Sequence, residues 1–416
     1  MLSSNNVYII SFQAQCMSPK TIIFYERFSN DTKRCRKGFV GIDYGKLQSS
    51  IEEIVAFRSL LACHREVAVN DLAFQPHDHE AHYGGGVFEG IRAKPRAVEI
   101  RDDKFIAASP LELAVINGQE NAQRFLRSME ALRLRESKIK HELPSEISEF
   151  FKPYDSSKDI FVPETFTSNH VLDVLAGVVQ RNTHAGHLHP EKGEIYLRPL
   201  AFRASHVDGK LGVNPRQHDI LFIVMAQEWG DYLPNGLNLV VYPQGVESPM
   251  RRVKASANYA LGQIAKNDAV VLGFDDALFT DNHSLRYIEE ATGANFFAMK
   301  DRTIVTPPLE QYVLPGITRQ TAITLAHNMG YDMREEDIPL HQLARYECVF
   351  LSGTATGLRS VRLVYDQEKK QAYTFNPEHE PFRRLQYEFG KLINGMDVLP
   401  QNRELQEQVR HVKVKF

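Results

Sequence analysis

The residues from Arg251 to Tyr259, RRVKASANY, set one lysine, Lys254, behind two arginines and ahead of a run of small residues that ends at Asn258 and Tyr259. A lysine amine condenses with aldehydes to form a Schiff base, and desolvation or neighbouring cations make such amines easier to deprotonate. That is the chemistry of an anchor for an aldehyde-bearing cofactor. A lone lysine is more often a solvated surface residue, so the assignment depends on its company.

That company is scattered along the chain. IEEATGANFF, residues 288 to 297, places Glu289 and Glu290 before a small-residue turn and a strand from Asn295 to Lys300, so that one carboxylate can face inward. LPGITRQTAITLA, residues 314 to 326, reads as a Pro-Gly turn entering a helix that ends near Gly330, with Thr318 as the expected cap. Free amides and the dipole at such a helix start attract phosphate. After a strand from Cys348 to Leu351, SGTATG offers hydroxyl groups and small residues as further donors. In EIYLRPL, residues 194 to 200, period-two alternation puts Tyr196 and Arg198 on one strand face and Ile195 and Leu197 on the other. A buried arginine there needs an anion, which leaves an anionic ligand and a structural ion pair both open.

Several elements must position these groups. In REVAVNDLAFQPHDHEAHYGGGVFEGIRA, Val67 and Val69 alternate as in a strand, and Gly84, Gly85 and Gly86 form a bend where a ligand or another backbone comes close. Beyond it Phe88, Gly90 and Arg92 share one face of an extended run, with Val87, Glu89 and Ile91 on the other. Asn121 to Leu132 carries Ala122, Phe125, Leu126, Met129 and Leu132 at helical spacing, and Arg124 at the stripe's edge can reach an anion while its stem packs. Ser137 to Glu164 reads as a short helix and a loop insertion. Asp219 to Ala226 is a strand that leads to Trp229 and a connector, with Trp229 and Tyr232 as pocket walls. A strand from Leu237 to Tyr242 precedes Lys254, and helices follow from about Asn258 to Leu272 and from Glu380 to Met396.

Composition bounds the rest. The 416 residues, 43% hydrophobic and 24% charged with a net charge of -3, suit a multidomain globular protein and give no electrostatic argument for nucleic acid or a membrane surface. Cys16, Cys35, Cys63 and Cys348 are dispersed, which fits a reducing, cytoplasmic setting better than disulfides or a zinc site. No apolar run reaches the ~18 residues of a membrane span. His77, His79 and His82 lack a matching ligand set and read as solvated; His184, His187 and His189 are given no role. Residues 1 to 44 hold a strand-like run, Val7 to Phe12, and a basic patch at Lys33, Arg34, Arg36 and Lys37. Glu26 and Asp31 weaken a targeting reading, and a terminal appendage is expected.

In their order along the chain, HYGGGVFEGIR, the helix with Arg124, YLRP, Trp229 with Tyr232, KASANY, EEATGANFF, LPGITR and SGTA resemble the fold-type IV pyridoxal phosphate enzymes and, among them, the branched-chain amino acid aminotransferases. The resemblance runs from about Glu66 to Met396 and implies an α+β, two-domain architecture like that of D-amino acid aminotransferase. The expected divisions are an extension (1–44), a small α/β domain (45–228), a connector (229–236), a large cofactor-binding domain (237–400) and a peripheral tail (401–416).

Carried over by position, the resemblance implies that Lys254 forms the Schiff base with pyridoxal 5'-phosphate, that Glu290 pairs with the ring nitrogen and that Tyr259 contacts the ring hydroxyl. Arg124, Ile317, Thr318 and Thr354 would hold the phosphate. Phe88, Tyr196, Arg198, Trp229, Tyr232 and the amide of Ala355 would contact substrate, and Tyr83 would enter the site of a second subunit in a homodimer or higher homo-oligomer. The implied reaction is ping-pong transamination of leucine, isoleucine and valine with 2-oxoglutarate, with Lys254 as the catalytic base and small amino acids and 2-oxo acids as partners. A lyase like aminodeoxychorismate lyase, a D-amino acid transaminase, a specialised biosynthetic transaminase and a noncatalytic cofactor binder are the competing readings. Departures from the family pattern bear on substrate identity: Asn121 stands where histidine is usual, Ala294 where many members carry glutamate, and Arg359 follows the SGTA turn in place of acidic and proline residues.

Overall fold

A computed structural model of the chain describes residues 22–29, 61–68, 78–101, 104–107, 111–135, 159–206, 211–230, 233–242, 248–281 and 286–414. The run Val7 to Phe12, the basic patch at 33–37, His77, Tyr232 and residues 137–158 of the expected insertion lie outside them.

Two sheets organise the chain. In the first, the neighbours run Val412–Val414, Leu113–Val115, Ile91–Pro95, Glu194–His206, His218–Trp229, Ile22–Ser29 and Leu61–Ala68, all antiparallel, and Val87–Phe88 pairs separately with Glu194–His206. The alternation along Glu194–His206 is the expected one: Ile195 and Leu197 are fully buried in the core. The helices Gly118–Ala131 and Ser168–His184 pack on that core. Ala122, Phe125, Leu126 and Met129 form the inner stripe of the first helix, and Phe125 meets Phe222 of the sheet at 5.7 Å between ring centroids. Tyr196 and Arg198 are thereby turned to the opposite face of the sheet.

The second sheet closes on itself. Ile288–Ala291 pairs with both Asp276–Thr280 and Asn295–Lys300, which joins them with Cys348–Gly353, Gly357–Asp366 and Leu237–Tyr242 in a ring that leaves no unpaired edge between these strands. The helix Tyr259–Val271 ends just before Gly273, whose φ of 86° supplies the left-handed turn that glycine adopts without steric cost. Glu380–Asn394 covers the ring with Phe382, Leu385, Phe389 and Leu392 buried.

Three expectations change. The cap of Ile317–Asn328 is Gly316, not Thr318, which lies buried in the first turn. A Cβ at position 316 would stand 2.0 Å from Asn295 Oδ1, so only glycine fits there. Residues 401–416 are not peripheral: Arg403–Val409 is a helix, and Val412–Val414 pairs with Leu113–Val115 and carries the chain back to the first sheet. Within the expected N-terminal appendage, Ile22–Ser29 is a strand paired to His218–Trp229.

The aromatic stack that fastens Glu380–Asn394 to the ring gives a direct test of this packing. Phe350 lies 4.8 Å from Phe297 and 5.0 Å from Phe382 between centroids and is 1% exposed. Phe350→Ala should lower the free energy of unfolding by about 3–5 kcal/mol in a denaturant titration. A loss below about 1 kcal/mol would mean that this helix does not dock as described.

Candidate active site

Lys254 is held on both sides by elements of the first sheet. Its backbone N–H donates to Ser128 Oγ at 3.2 Å, and its carbonyl accepts from the Phe88 N–H at 3.2 Å. The next turn is held likewise, since the Ser256 N–H donates to the Gly86 carbonyl at 2.8 Å. The glycine bend makes this approach possible. Gly84 has φ 59°, and a Cβ on it would stand 3.2 Å from Ala257 Cβ. At the end of its side chain, Lys254 Nζ donates to Tyr259 Oη at 2.6 Å and lies 5.0 Å from the Phe88 ring centroid.

A cavity of about 250 Å3 opens here, and Arg124, Lys254, Tyr259, Glu290, Ile317, Thr318 and Thr354 all line it. The Glu290 carboxylate accepts from Asn295 Nδ2 and from the Leu314 N–H, each at 3.1 Å, and from Arg251 Nη2 at 3.3 Å. Arg251 also bonds the buried Glu289 through Nη1. The helix Ile317–Asn328 begins on the cavity wall with no side chain capping its first amides, so those donors face the space.

Arg124 already has an anion. Its Nε and Nη2 each donate to the Glu89 carboxylate at 2.7 Å, and Nη1 donates to the Pro315 carbonyl at 2.9 Å. Glu89 is fully buried, and a carboxylate in that position requires such a fork. The alternation of Val87, Glu89 and Ile91 carried this signal, because a charge between two apolar positions on one strand face needs a buried partner.

Beyond Phe88 lies a second group. Arg198 stands 4.6 Å from the Phe88 ring centroid and donates to Tyr196 Oη at 2.8 Å, while Tyr196 stacks on Trp229 with centroids 4.4 Å apart. Among the described residues no carboxylate pairs with Arg198, whose contacts there are the Tyr196 hydroxyl and the Phe88 and Tyr196 rings. Gly90 makes room for this arrangement, because a Cβ there would lie 2.1 Å from Tyr196 Oη.

Phe88, Tyr196, Arg198, Trp229, Ala355 and Tyr83 stand apart from the cavity lining. The Ala355 carbonyl accepts a long contact of 3.5 Å from Arg92 Nη2, and Tyr83 is 41% exposed at the end of its helix. His79, expected in solvent, is buried against Tyr83 and His218 at 4.6 and 4.9 Å between ring centroids, and burial lowers its pKa. Arg359 is half-buried and lies outside the cavity lining: its Nε donates to the Leu233 carbonyl at 2.6 Å and ties the connector to Gly357–Asp366.

A closed six-strand ring beside an antiparallel sheet, with a lysine and a carboxylate on one cavity between them, defines the fold-type IV class of two-domain α+β enzymes. The chain belongs to the class IV amino-transferases: the model of that family matches residues 86–364. It is similar to branched-chain-amino-acid aminotransferase 6 of Arabidopsis thaliana, with 36% identity over 189 residues, 44% of this chain and 52% of that protein. The match therefore spans about half the length of that relative. A probable branched-chain-amino-acid aminotransferase of Rickettsia felis is 28% identical over 319 residues, 76% of this chain and 89% of that one. Among solved structures, the branched-chain amino acid aminotransferase of Escherichia coli superposes with a TM-score of 0.59 at 25% identity, covering 80% of this chain and 93% of that one.

The cavity wall carries an electrostatic signature. Burial pushes the Glu289 carboxyl up to about 7; Arg251 opposes this, while Glu290 and Asp281 add to it. Burial also raises the pKa of Glu290, against Arg251, the Leu314 N–H and Lys254. A folded-state pKa above the unfolded 4.5 means that folded Glu289 binds more proton, so its contribution to stability is full below about 4.5 and is lost as the pH rises through about 7. Denaturant unfolding at pH 5 and pH 8 should show the parent protein losing roughly 1–3 kcal/mol more across that interval than Glu289→Gln does. Equal losses would remove Glu289 as the source.

Proposed function

We propose that this chain is a branched-chain amino acid aminotransferase, which moves the amino group of leucine, isoleucine or valine to 2-oxoglutarate with pyridoxal 5'-phosphate as cofactor. The observation that carries the reading is the placement of the Lys254 amine and the Glu290 carboxylate on one cavity. The residues present fit the cofactor. Ser352 Oγ, fully buried on the cavity lining, has no hydrogen-bond partner among the described residues, and the start of Ile317–Asn328, with no side chain capping it, lines the same cavity, as an anionic group requires.

When bound, pyridoxal 5'-phosphate supplies the aldehyde that carries the amino group and a ring that takes up the electron pair left at the substrate α-carbon. Ile317, Thr318 and Thr354 hold its phosphate, with Arg124 contributing the N–H groups not given to Glu89 and Pro315. Glu290 holds a proton at the ring nitrogen. Tyr259, which accepts from Lys254 Nζ, would set the direction from which that amine takes and returns a proton. Phe88 and Trp229 wall the substrate side chain, which suits a branched aliphatic group, and Tyr232, outside the described residues, is assigned to the same wall by the resemblance alone; Arg198 takes the distal carboxylate of the acceptor. The amide of Ala355 and the Tyr196 hydroxyl complete the substrate contacts.

A homodimer belongs to the same proposal, with the exposed Tyr83 given to a neighbouring copy's site. So does the cytoplasmic setting expected from the dispersed cysteines. The connector at 229–236 and the divisions on either side of it are kept as part of this reading, while Ile22–Ser29 and Val412–Val414 join the first sheet. Among the described residues no helix is long and apolar enough to cross a membrane.

A single-turnover half-reaction tests the function. Added one at a time to the cofactor-loaded protein, valine, leucine and isoleucine should each discharge the visible absorbance of the bound cofactor. Pyruvate release from aminodeoxychorismate, without that discharge, would replace the transaminase by a lyase. Lys254→Ala should remove the lysine-linked absorbance and lower the rate by about 10²–10⁴-fold or more. An unchanged visible spectrum would overturn the anchor assignment.

A further inference from the structure

The two carboxylates of Ile288–Ala291 pose a problem that the reaction alone does not explain. Glu289 and Glu290 are neighbours on one strand, where successive side chains leave on opposite faces, yet both bond the same guanidinium. Arg251 approaches from the Pro249–Arg252 turn just ahead of Lys254, with its two terminal nitrogens divided between them. All three groups are withdrawn from water, with side chains 12% exposed for Arg251, 1% for Glu289 and 14% for Glu290. Only Arg251 and Glu290 line the cavity; Glu289 lies behind them.

We infer that Arg251 is a positioning residue: clamped from behind by Glu289, it fixes the Glu290 carboxylate in the ionised, oriented form that a cofactor ring nitrogen needs. The inference deepens the proposed function and depends on it. The remaining hydrogen-bond partners of Glu290 are neutral donors, the Asn295 amide and the Leu314 N–H, and Lys254 acts on it without a hydrogen bond. Neutral donors orient a carboxylate, but they offset the burial of its charge less than a guanidinium does. Without Arg251, Glu290 would take up a proton of its own and could no longer act as the anion opposite a protonated ring. Without Glu289, the guanidinium would lose the partner that sets its angle, while its charge would remain. The two residues therefore act in series, and Glu289 reaches the ring only through Arg251.

The test measures cofactor binding and spectrum, not turnover. Apoprotein would be titrated with pyridoxal 5'-phosphate, and the Kd and the position of the visible band recorded for the parent, Arg251→Gln, Arg251→Lys, Glu289→Gln and the Arg251→Gln/Glu289→Gln pair. Arg251→Gln should weaken binding tenfold or more and shift the visible band. Arg251→Lys, which keeps the charge but not the fork, should recover part of both. Glu289→Gln should weaken binding severalfold on its own and add nothing in the double variant. Parental Kd and spectrum in Arg251→Gln would overturn the inference, as would a Glu289→Gln effect that persists undiminished without Arg251. If Arg251→Gln fails to fold, Arg251→Lys and Glu289→Gln decide: parental values in both overturn it. A parent that binds no pyridoxal 5'-phosphate would instead overturn the proposed function, an outcome separate from all of these.

Discussion

Burying charge on a cavity wall is the constraint on which the structure turns. A carboxylate or guanidinium taken out of water destabilises the fold unless it is met by an opposite charge and by enough hydrogen bonds. Here the partners come from distant parts of the chain. Glu89, on the run that follows the glycine bend, is met by Arg124 from a helix on the first sheet, and Arg124 then reaches across to Pro315 in the second. Arg251 meets Glu289 and Glu290 on the ring. Asn117, at the start of the Arg124 helix, donates to Thr321 of Ile317–Asn328 at 3.2 Å. These polar contacts cross the seam beside an apolar cluster in which Ala114 and Ile116 pack with Phe297, Phe350 and Phe382.

That arrangement sets what a sequence reading can recover. The local patterns gave Lys254 as a candidate amine, left Glu289 and Glu290 both open and set the helix cap at Thr318 instead of Gly316, while the shared face of Tyr196 and Arg198 was legible because strand alternation is itself local. Glu89 was legible in principle, as a charge between Val87 and Ile91, but its partner lies 35 residues away on a helix edge where arginines are usually solvated. Arg251 was visible only as a cation near Lys254. Its contact with Glu289 spans 38 residues and exists because Ile288–Ala291 closes the ring, which no local pattern announces. Val412–Val414 is three residues long and pairs with another three-residue strand, so the sequence around residues 401–416 reads as polar and peripheral while its backbone completes a sheet. His79 failed for a related reason: the ring that covers it, His218, begins a strand far along the chain.

The departures from the family pattern also acquire structural meanings. Asn121 donates to the Asn117 carbonyl at 2.8 Å and stays within its own helix, so it orders the start of that helix and not the cavity. Ala294 lies in the turn between the paired Glu290 and Asn295, on the cavity lining, where a longer acidic side chain would compete for the same donors. Arg359 is spent on the connector. With Ser360, which accepts from the Gly236 N–H at 3.1 Å, it fastens 233–236 to the strand beside the SGTATG turn. Two of these three changes therefore act on the frame around the site, and only Ala294 borders the cavity itself.

The pairing of charges also determines how a ligand is captured. The chain carries a net charge of -3, and two cations of the cavity lining are already paired with anions: Arg124 with Glu89, and Arg251 with two carboxylates. Long-range attraction of an anionic cofactor is weak under those conditions and is screened further beyond ~8 Å at physiological salt. Selectivity has to arise at contact distance, from unspent donors that no bulk charge can replace: the first amides of Ile317–Asn328, the lone hydroxyl of Ser352 and the Lys254 amine. A site built this way recognises an anion by the geometry of its hydrogen bonds. The shape held by Glu89, Arg251 and Glu289 behind the wall then matters as much as the residues that face the ligand.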